Sequence, residues 1–240
     1  MSERKHDDRP VVLLDLDDTL LDFGKAEKIA VSKALREIGV EPTDAITSRY
    51  SEINVGRWQL MELGLISREE VLVGRFTQMF NELGVNASAE RMKERYERFL
   101  AIGHYFLPGA EALIHELYGK YRLALCSNGT RAVQEGRLAS AGIAKYFDHI
   151  FISELVGHHK PSREYFDYCF SEIKSFDRSR AIMVGDSLSS DVKGGINAGV
   201  LTCWFNPKGR AGREDIRPDY EIAELSELPP LLDEIFMNKK

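Results

Sequence analysis

Short apolar runs alternate with longer stretches of helical periodicity along this chain. "VVLLDLD" (Val11–Asp17) opens the series, and "YRLALCSN" (Tyr121–Asn128), "HIFIS" (His149–Ser153), "RAIMVGD" (Arg180–Asp186) and "VLTCWFN" (Val200–Asn206) continue it. Continuous runs of this length, rich in Val, Leu and Ile, read as strands buried on both faces, as in a parallel sheet. Helical patterns lie between them at Gly109–Tyr118, Arg131–Ala141, Arg163–Ile173 and Leu188–Ala198. Strands alternating with helices predict an α/β fold, a Rossmann-like doubly wound parallel sheet.

The stretch from Lys25 to Ile102 departs from that rhythm. It holds no strand pattern but four helical runs: Ala26–Ile38, Thr43–Gly64, Ser67–Leu83 and Ala89–Gly103. Gly39, Gly64 and Gly84 fall at C-cap positions, and Thr43, Ser67 and Ser88 at N-caps. Ser67 with Glu70 spells a capping box. An all-helical domain inserted after the first strand follows. The expected organisation is a disordered tail at 1–9, an α/β core made of 10–22 and 104–240, and a helical insert at 23–103.

Composition narrows the function classes. With 240 residues and 43% hydrophobic content, the chain has ample material for a core. A net charge of −6 with interspersed signs argues against a nucleic-acid polymer as partner. The three cysteines, Cys126, Cys169 and Cys203, are odd in number and widely spaced, which fits reduced thiols in the cytoplasm. The first ten residues are charged and lack a signal-peptide core, and no window approaches the roughly 20 apolar residues of a membrane span. A monomer and a homodimer are both compatible with this composition.

The chemistry sits at the strand ends. Ligands of open α/β sheets bind beyond the carboxyl ends of the strands. There the sequence offers Asp15 and Asp17, then Ser127 and Asn128, then Lys160, then Asp186 and Asp191. Like charges so crowded are unfavourable unless a cation sits among them. Oxygen donors of this kind suit Mg2+ together with a phosphate group. Asp18 and Asp22 read as solvated turn residues, "KGGINAG" (Lys193–Gly199) as close helix packing, and Cys126 as an inert core thiol.

These residues resemble the haloacid dehalogenase superfamily of aspartate-nucleophile phosphatases. The motif D-x-D-x-T stands as Asp15-Leu16-Asp17-Asp18-Thr19, followed in family order by Ser127-Asn128, by Lys160 in "SELVGHHKP", and by "GDSLSSD" (Gly185–Asp191). The resemblance implies that Asp15 attacks phosphorus, that Asp17 serves as general acid and then base, and that Thr19 braces their turn. It implies that Asp15, Asp186 and the backbone of Asp17 hold Mg2+. It further implies that Ser127, Asn128 and Lys160 bind phosphate, and that Asp191 orients Lys160 or the metal's water. The helical insert resembles the family's cap, which closes over the site and selects the substrate.

Within the insert, "INVGRWQLMELGLISREEVLVGRF" (Ile53–Phe76) resembles the YjjG-type pyrimidine 5′-nucleotidase branch. Asn54, Arg57 and Trp58 become candidates for contact with a base or sugar, with helix packing as the bland alternative. The expected activity is Mg2+-dependent hydrolysis of small phosphorylated metabolites, pyrimidine nucleoside 5′-monophosphates first. Alternatives are an N-acylneuraminate-9-phosphatase, a phosphoglycolate-type phosphatase, a haloacid dehalogenase, a sugar-phosphate mutase and a non-catalytic phospholigand-binding protein.

Overall fold

The computed structural model describes residues 7–237. Six strands form one parallel sheet: β1 (Val11–Leu14), β2 (Arg122–Ser127), β3 (His149–Ile152), β4 (Ala181–Gly185), β5 (Leu201–Phe205) and β6 (Tyr220–Ile222). Their order across the sheet is β3-β2-β1-β4-β5-β6, so the chain reverses direction of travel at β1. Every residue of β1, β2 and β4 is buried, which is why these strands read as unbroken apolar runs. The register sets Leu14 beside Leu125 on one side and Val184 on the other. The residues that follow these strands therefore emerge together at one rim.

Five helices follow β1: α1 (Phe23–Glu37), α2 (Asp44–Glu62), α3 (Arg68–Leu72), α4 (Gly74–Leu83) and α5 (Ala89–Leu100). Six more are distributed among the later strands: α6 (Ala110–Leu117), α7 (Arg131–Ala141), α8 (Ser153–Val156), α9 (Arg163–Glu172), α10 (Lys193–Ala198) and α11 (Leu228–Phe236). Contacts divide the chain into two compact units. The sheet unit contains the segments up to Leu21, Phe106–Arg131 and Gly142 onward. The helical unit contains Asp22–Tyr105 and also Ala132–Ala141, a helix that the sequence reading assigned to the core. The reason lies in close packing: a Cβ on Gly136 would meet Ala101 Cβ at 2.8 Å, and Arg137 Nε donates to Gly103 O at 2.9 Å.

The helical unit has its own core. Tyr50 stacks on Phe76 with centroids 5.3 Å apart, and Tyr96 meets each of them edge-on at 5.5 Å. Aromatic pairs of this geometry add about 0.5–1.5 kcal/mol each beyond their area. Thr43, Ser67 and Ser88 cap their helices, the Ser67–Glu70 capping box is complete, and Gly39, Gly64 and Gly84 all take positive φ. The run Ser67–Leu83 is two helices rather than one. At the break, Val73, Arg57 Nη1 donates to Glu70 O, the carbonyl that the Gly74 N–H would bond in a continuous helix.

In the sheet unit, Gly194 and Gly195 allow α10 to lie close against its neighbours. Cβ atoms there would meet Phe166 and Thr202 at 2.6 Å. All three cysteines are buried and free. Of the expected disordered tail, residues 1–6 lie outside the described residues. Arg9, however, is fixed: it donates to Asp7 Oδ1 at 2.9 Å and to Gly119 O at 3.2 Å. Leu188–Ala198 begins as a π-helical turn (Leu188–Val192) before α10. Asp22, expected in a solvated turn, is the N-cap of α1 and accepts from Lys25 N at 2.8 Å.

Candidate active site

β1 ends directly in Asp15, whose N–H still donates to Val184 O at 3.0 Å. The chain then turns sharply. Leu20 and Leu21 both donate to Leu16 O, and Asp18 adopts φ 58°, a left-handed conformation that aspartate tolerates better than most residues. This turn brings Thr19 back beneath Asp15. The Thr19 hydroxyl donates to Asp15 Oδ2 at 3.2 Å and accepts from Asp186 N at 3.0 Å, tying the ends of β1 and β4 together.

Lys160 lies at the centre. It is 1% exposed, and its ammonium donates to Asp15 Oδ1 at 2.6 Å, Asp191 Oδ1 at 2.7 Å and Cys126 O at 2.6 Å. An ammonium has three protons, and all three are used. Burial works against this charge, and Asp15 and Asp191 outweigh it, so the group is held protonated beyond its usual range. Asp191 accepts a second bond, from Ser187 N at 3.0 Å. A Cβ on Gly185 would collide with the Asp191 carboxyl, so only glycine fits at the end of β4.

Asn128 has a job other than direct phosphate contact for its side chain. Its Oδ1 accepts from Lys160 N at 2.8 Å, while its Nδ2 donates to Lys160 O at 2.9 Å and to Ser190 Oγ at 3.2 Å. The amide thus grips both backbone groups of Lys160. Ser127, 1% exposed, accepts from Gly129 N at 3.1 Å.

The electrostatics are unbalanced. Oxygens of Asp15, Asp186 and Asp191 lie within 4.8 Å of one another. Against them stand one buried ammonium, shared by Asp15 and Asp191, and the half-exposed Arg210 guanidinium at Asp186. Burial and the charges of Asp191, Asp17 and Asp186 push Asp15 well above the ordinary carboxylate range, against the pull of Lys160. Burial, then Asp191 and Asp18, raise Asp186 to about 7, although Arg210 pulls it down. Asp15 and Asp191 share the Lys160 ammonium, and Asp15, Asp186 and Asp191 together form a set of oxygens that could hold a metal ion. A hard divalent ion such as Mg2+ fits this donor set.

The expected substrate contacts of the helical unit read differently. Asn54 is 1% exposed and spans two buried charges: Nδ2 donates to Glu27 Oε1 at 2.7 Å, and Oδ1 accepts from Arg75 at 2.9 Å. It is a bridge in a buried network rather than a free recognition group. Arg57 is engaged as well, donating to Glu70 O at 3.1 Å and Gln78 Oε1 at 3.4 Å. Trp58 is half-buried with the Arg68 guanidinium 5.9 Å above its ring.

Three residues escaped the sequence reading. Trp204 Nε1 donates to Asp186 O at 2.8 Å, Arg210 reaches the same residue, and Asn206 fixes Arg210. Trp204 and Asn206 stand at the carboxyl end of β5, so the strand-end rule that found the others would have flagged them too.

A parallel sheet with this strand order gathers Asp15, Lys160, Asp186 and Asp191 at the carboxyl ends of its strands, where ligands of such sheets bind. The chain belongs to the haloacid dehalogenase-like hydrolase family, which matches residues 10–199, and it is an enzyme of the phosphatase class. It is 38% identical to YfnB of Bacillus subtilis (strain 168), a protein named as a HAD-hydrolase, over 92% of this chain and 94% of that one. A crystal structure of YfnB bound to magnesium superposes with a TM-score of 0.90 at 37% identity, covering 94% of this chain and 99% of that one. Identity is 35% to the pyrimidine 5′-nucleotidase PynA of Streptococcus pneumoniae (strain ATCC BAA-255 / R6), over 95% of this chain and 97% of PynA. It is 34% to the pyrimidine 5′-nucleotidase YjjG of Escherichia coli (strain K12), over 92% and 96%. No helix among the described residues is long and apolar enough to cross a membrane.

Proposed function

We propose that the chain is a Mg2+-dependent phosphomonoesterase that works through an aspartyl-phosphate on Asp15. Its substrates are small phosphorylated metabolites, pyrimidine nucleoside 5′-monophosphates first, and it works in the cytoplasm. The observation that carries this reading is the buried Lys160 ammonium bonded to both Asp15 and Asp191, with Asp186 beside them. Such a cluster is costly alone and becomes favourable around a cation and a phosphate dianion. The likeness to PynA and YjjG over more than nine-tenths of the chain supports the nucleotide class. The helical unit is the proposed cap, the part that selects the substrate.

The proposed roles are those that the family resemblance implies. Asp15 attacks phosphorus, and the bond to the leaving oxygen breaks as Asp17 gives that oxygen a proton. Water then attacks the phosphorus, its proton returns to Asp17, and the bond to Asp15 breaks to free inorganic phosphate. Lys160 balances the charge of Asp15 and of the transferring group, which is most of what phosphoryl transfer asks of a protein. The Ser127 hydroxyl and the Asn128 N–H bind phosphate oxygens. Thr19 holds the Asp15 carboxylate in line, and Asp191 keeps Lys160 in place. Asp15, Asp186 and the Asp17 carbonyl would hold Mg2+, which would supply the remaining positive charge.

Phosphate release from a metabolite panel, with Mg2+ and with EDTA, tests the proposal beside Asp15→Asn. Mg2+-dependent turnover led by dUMP, dTMP and UMP, and abolished in the variant, is expected. Wild-type-like turnover in Asp15→Asn would remove the nucleophile from the account. Turnover led by N-acetylneuraminate 9-phosphate or phosphoglycolate would overturn the substrate class.

A further inference from the structure

The Asp186 carboxylate is held by a side chain that lies 24 residues further along, in the loop after β5. Arg210 Nη2 donates to Asp186 O at 2.6 Å and to Asp186 Oδ2 at 3.2 Å. The same guanidinium lies 5.7 Å from the Trp204 ring, and Trp204 Nε1 donates to Asp186 O as well. Two donors on one carbonyl and one on the carboxylate leave Asp186 little freedom to rotate.

The loop that carries Arg210 is itself built. Asn206, 2% exposed, accepts from Arg210 N at 2.9 Å through Oδ1 and donates to Arg210 O at 2.9 Å through Nδ2. Its Nδ2 also donates to Glu221 Oε1 at 2.7 Å, and its N–H to Ile222 O at 2.8 Å. The turn between them closes with Gly209 N donating to Asn206 O at 3.1 Å, at φ 57°, where glycine meets no Cβ penalty. A buried amide at the end of β5 therefore fixes the backbone from which Arg210 reaches Asp186. Arg213, in the same loop, spends its guanidinium on Asp215 at 2.7 Å and 3.0 Å.

We infer that Arg210 is a positioning residue for the divalent metal: it fixes the Asp186 carboxylate so that one oxygen faces Asp15 and the cation. This inference rests on the Mg2+-dependent reading of the site. One nitrogen of the guanidinium, Nη2, meets both the carbonyl and the carboxylate, at a reach one bond beyond that of a lysine ammonium. Partners of metal-binding carboxylates change metal affinity by about 10–100-fold when removed.

The experiment is calorimetric titration of MgCl2 into the full chain as wild type, Arg210→Ala, Arg210→Lys and Arg213→Ala. Melting in EDTA accompanies it, to verify the fold. Mg2+ binding weaker by about tenfold or more in Arg210→Ala is expected, with a smaller loss in Arg210→Lys and none in Arg213→Ala. The Mg2+ activation constant should move in step with the binding constant, while the melting temperature in EDTA stays near wild type, a split that a merely structural role would not produce. Arg210→Ala that binds Mg2+ as tightly as wild type, or more tightly, overturns the inference. Should Arg210→Ala fail to fold, wild-type affinity in Arg210→Lys overturns it equally. Absence of Mg2+ binding in wild type overturns the reading beneath both, and is told apart by needing no variant.

Discussion

Lys160→Met is the perturbation whose cost the structure specifies most closely. Methionine keeps the length of the side chain and removes its charge. Two carboxylates, Asp15 and Asp191, with side chains 9% and 2% exposed, are then left facing each other without their shared ammonium. Removing one partner of a buried ion pair costs about 3–5 kcal/mol. The defect has a pH signature. Asp15, already above the ordinary carboxylate range in the wild type, rises further once the ammonium that pulls it down is gone, and the orphaned cluster is relieved when it takes up a proton. A group raised in this way is stabilising below the unfolded pKa and loses that contribution as pH rises through the folded one. The gap between wild type and variant therefore narrows on acidification, by up to about 1.4 kcal/mol per pH unit. Urea unfolding of both proteins in EDTA, at about pH 8 and about pH 6, reads the gap directly. A gap under about 1 kcal/mol at the higher pH, the size of an exposed pair, would refute the reasoning. So would a gap that keeps its size at the lower pH.

Other outcomes follow from single features. Since burial raises Asp186 to about 7 and holds Asp15 above the ordinary carboxylate range as well, Mg2+ must displace protons below neutrality; apparent affinity should fall by at least about tenfold per pH unit there, as calorimetry across that range would record. Gly185→Ala should lose activity while retaining its secondary structure by circular dichroism, because the new methyl displaces the Asp191 carboxyl and with it Lys160. Asn54→Ala leaves Glu27 and Arg75 buried without their bridge, so urea unfolding should show a loss of about 1–3 kcal/mol with kcat near wild type.

The sequence and the structure agree where local rules decide the outcome. β1 and β4 are legible because strands buried on both faces are apolar throughout, and β2, β3 and β5 because apolar residues dominate them despite Arg122, His149 and Thr202. The Ser67–Glu70 box is legible because both partners lie within four residues. β6 escaped because its three residues place Glu221 in the middle of the strand. The break at Val73 escaped; there Arg57, one helix away, donates to Glu70 O. The carboxylates and Lys160 stand in motif order and could be read as one site, but a motif is silent about who bonds whom. That Asn128 clamps Lys160, that Asn54 is enclosed, and that Arg210 reaches back to Asp186 are tertiary facts. No spacing in the chain encodes them.

The central claim is that Asp15 becomes phosphorylated in each turnover. Rapid acid quench of the enzyme during turnover of a pyrimidine nucleotide with Mg2+, followed by peptide mass spectrometry, tests it most directly. The account predicts a phosphate on the peptide from β1, at Asp15, absent from Asp15→Asn. Steady turnover with an unmodified Asp15, or with phosphate on another residue, would contradict it.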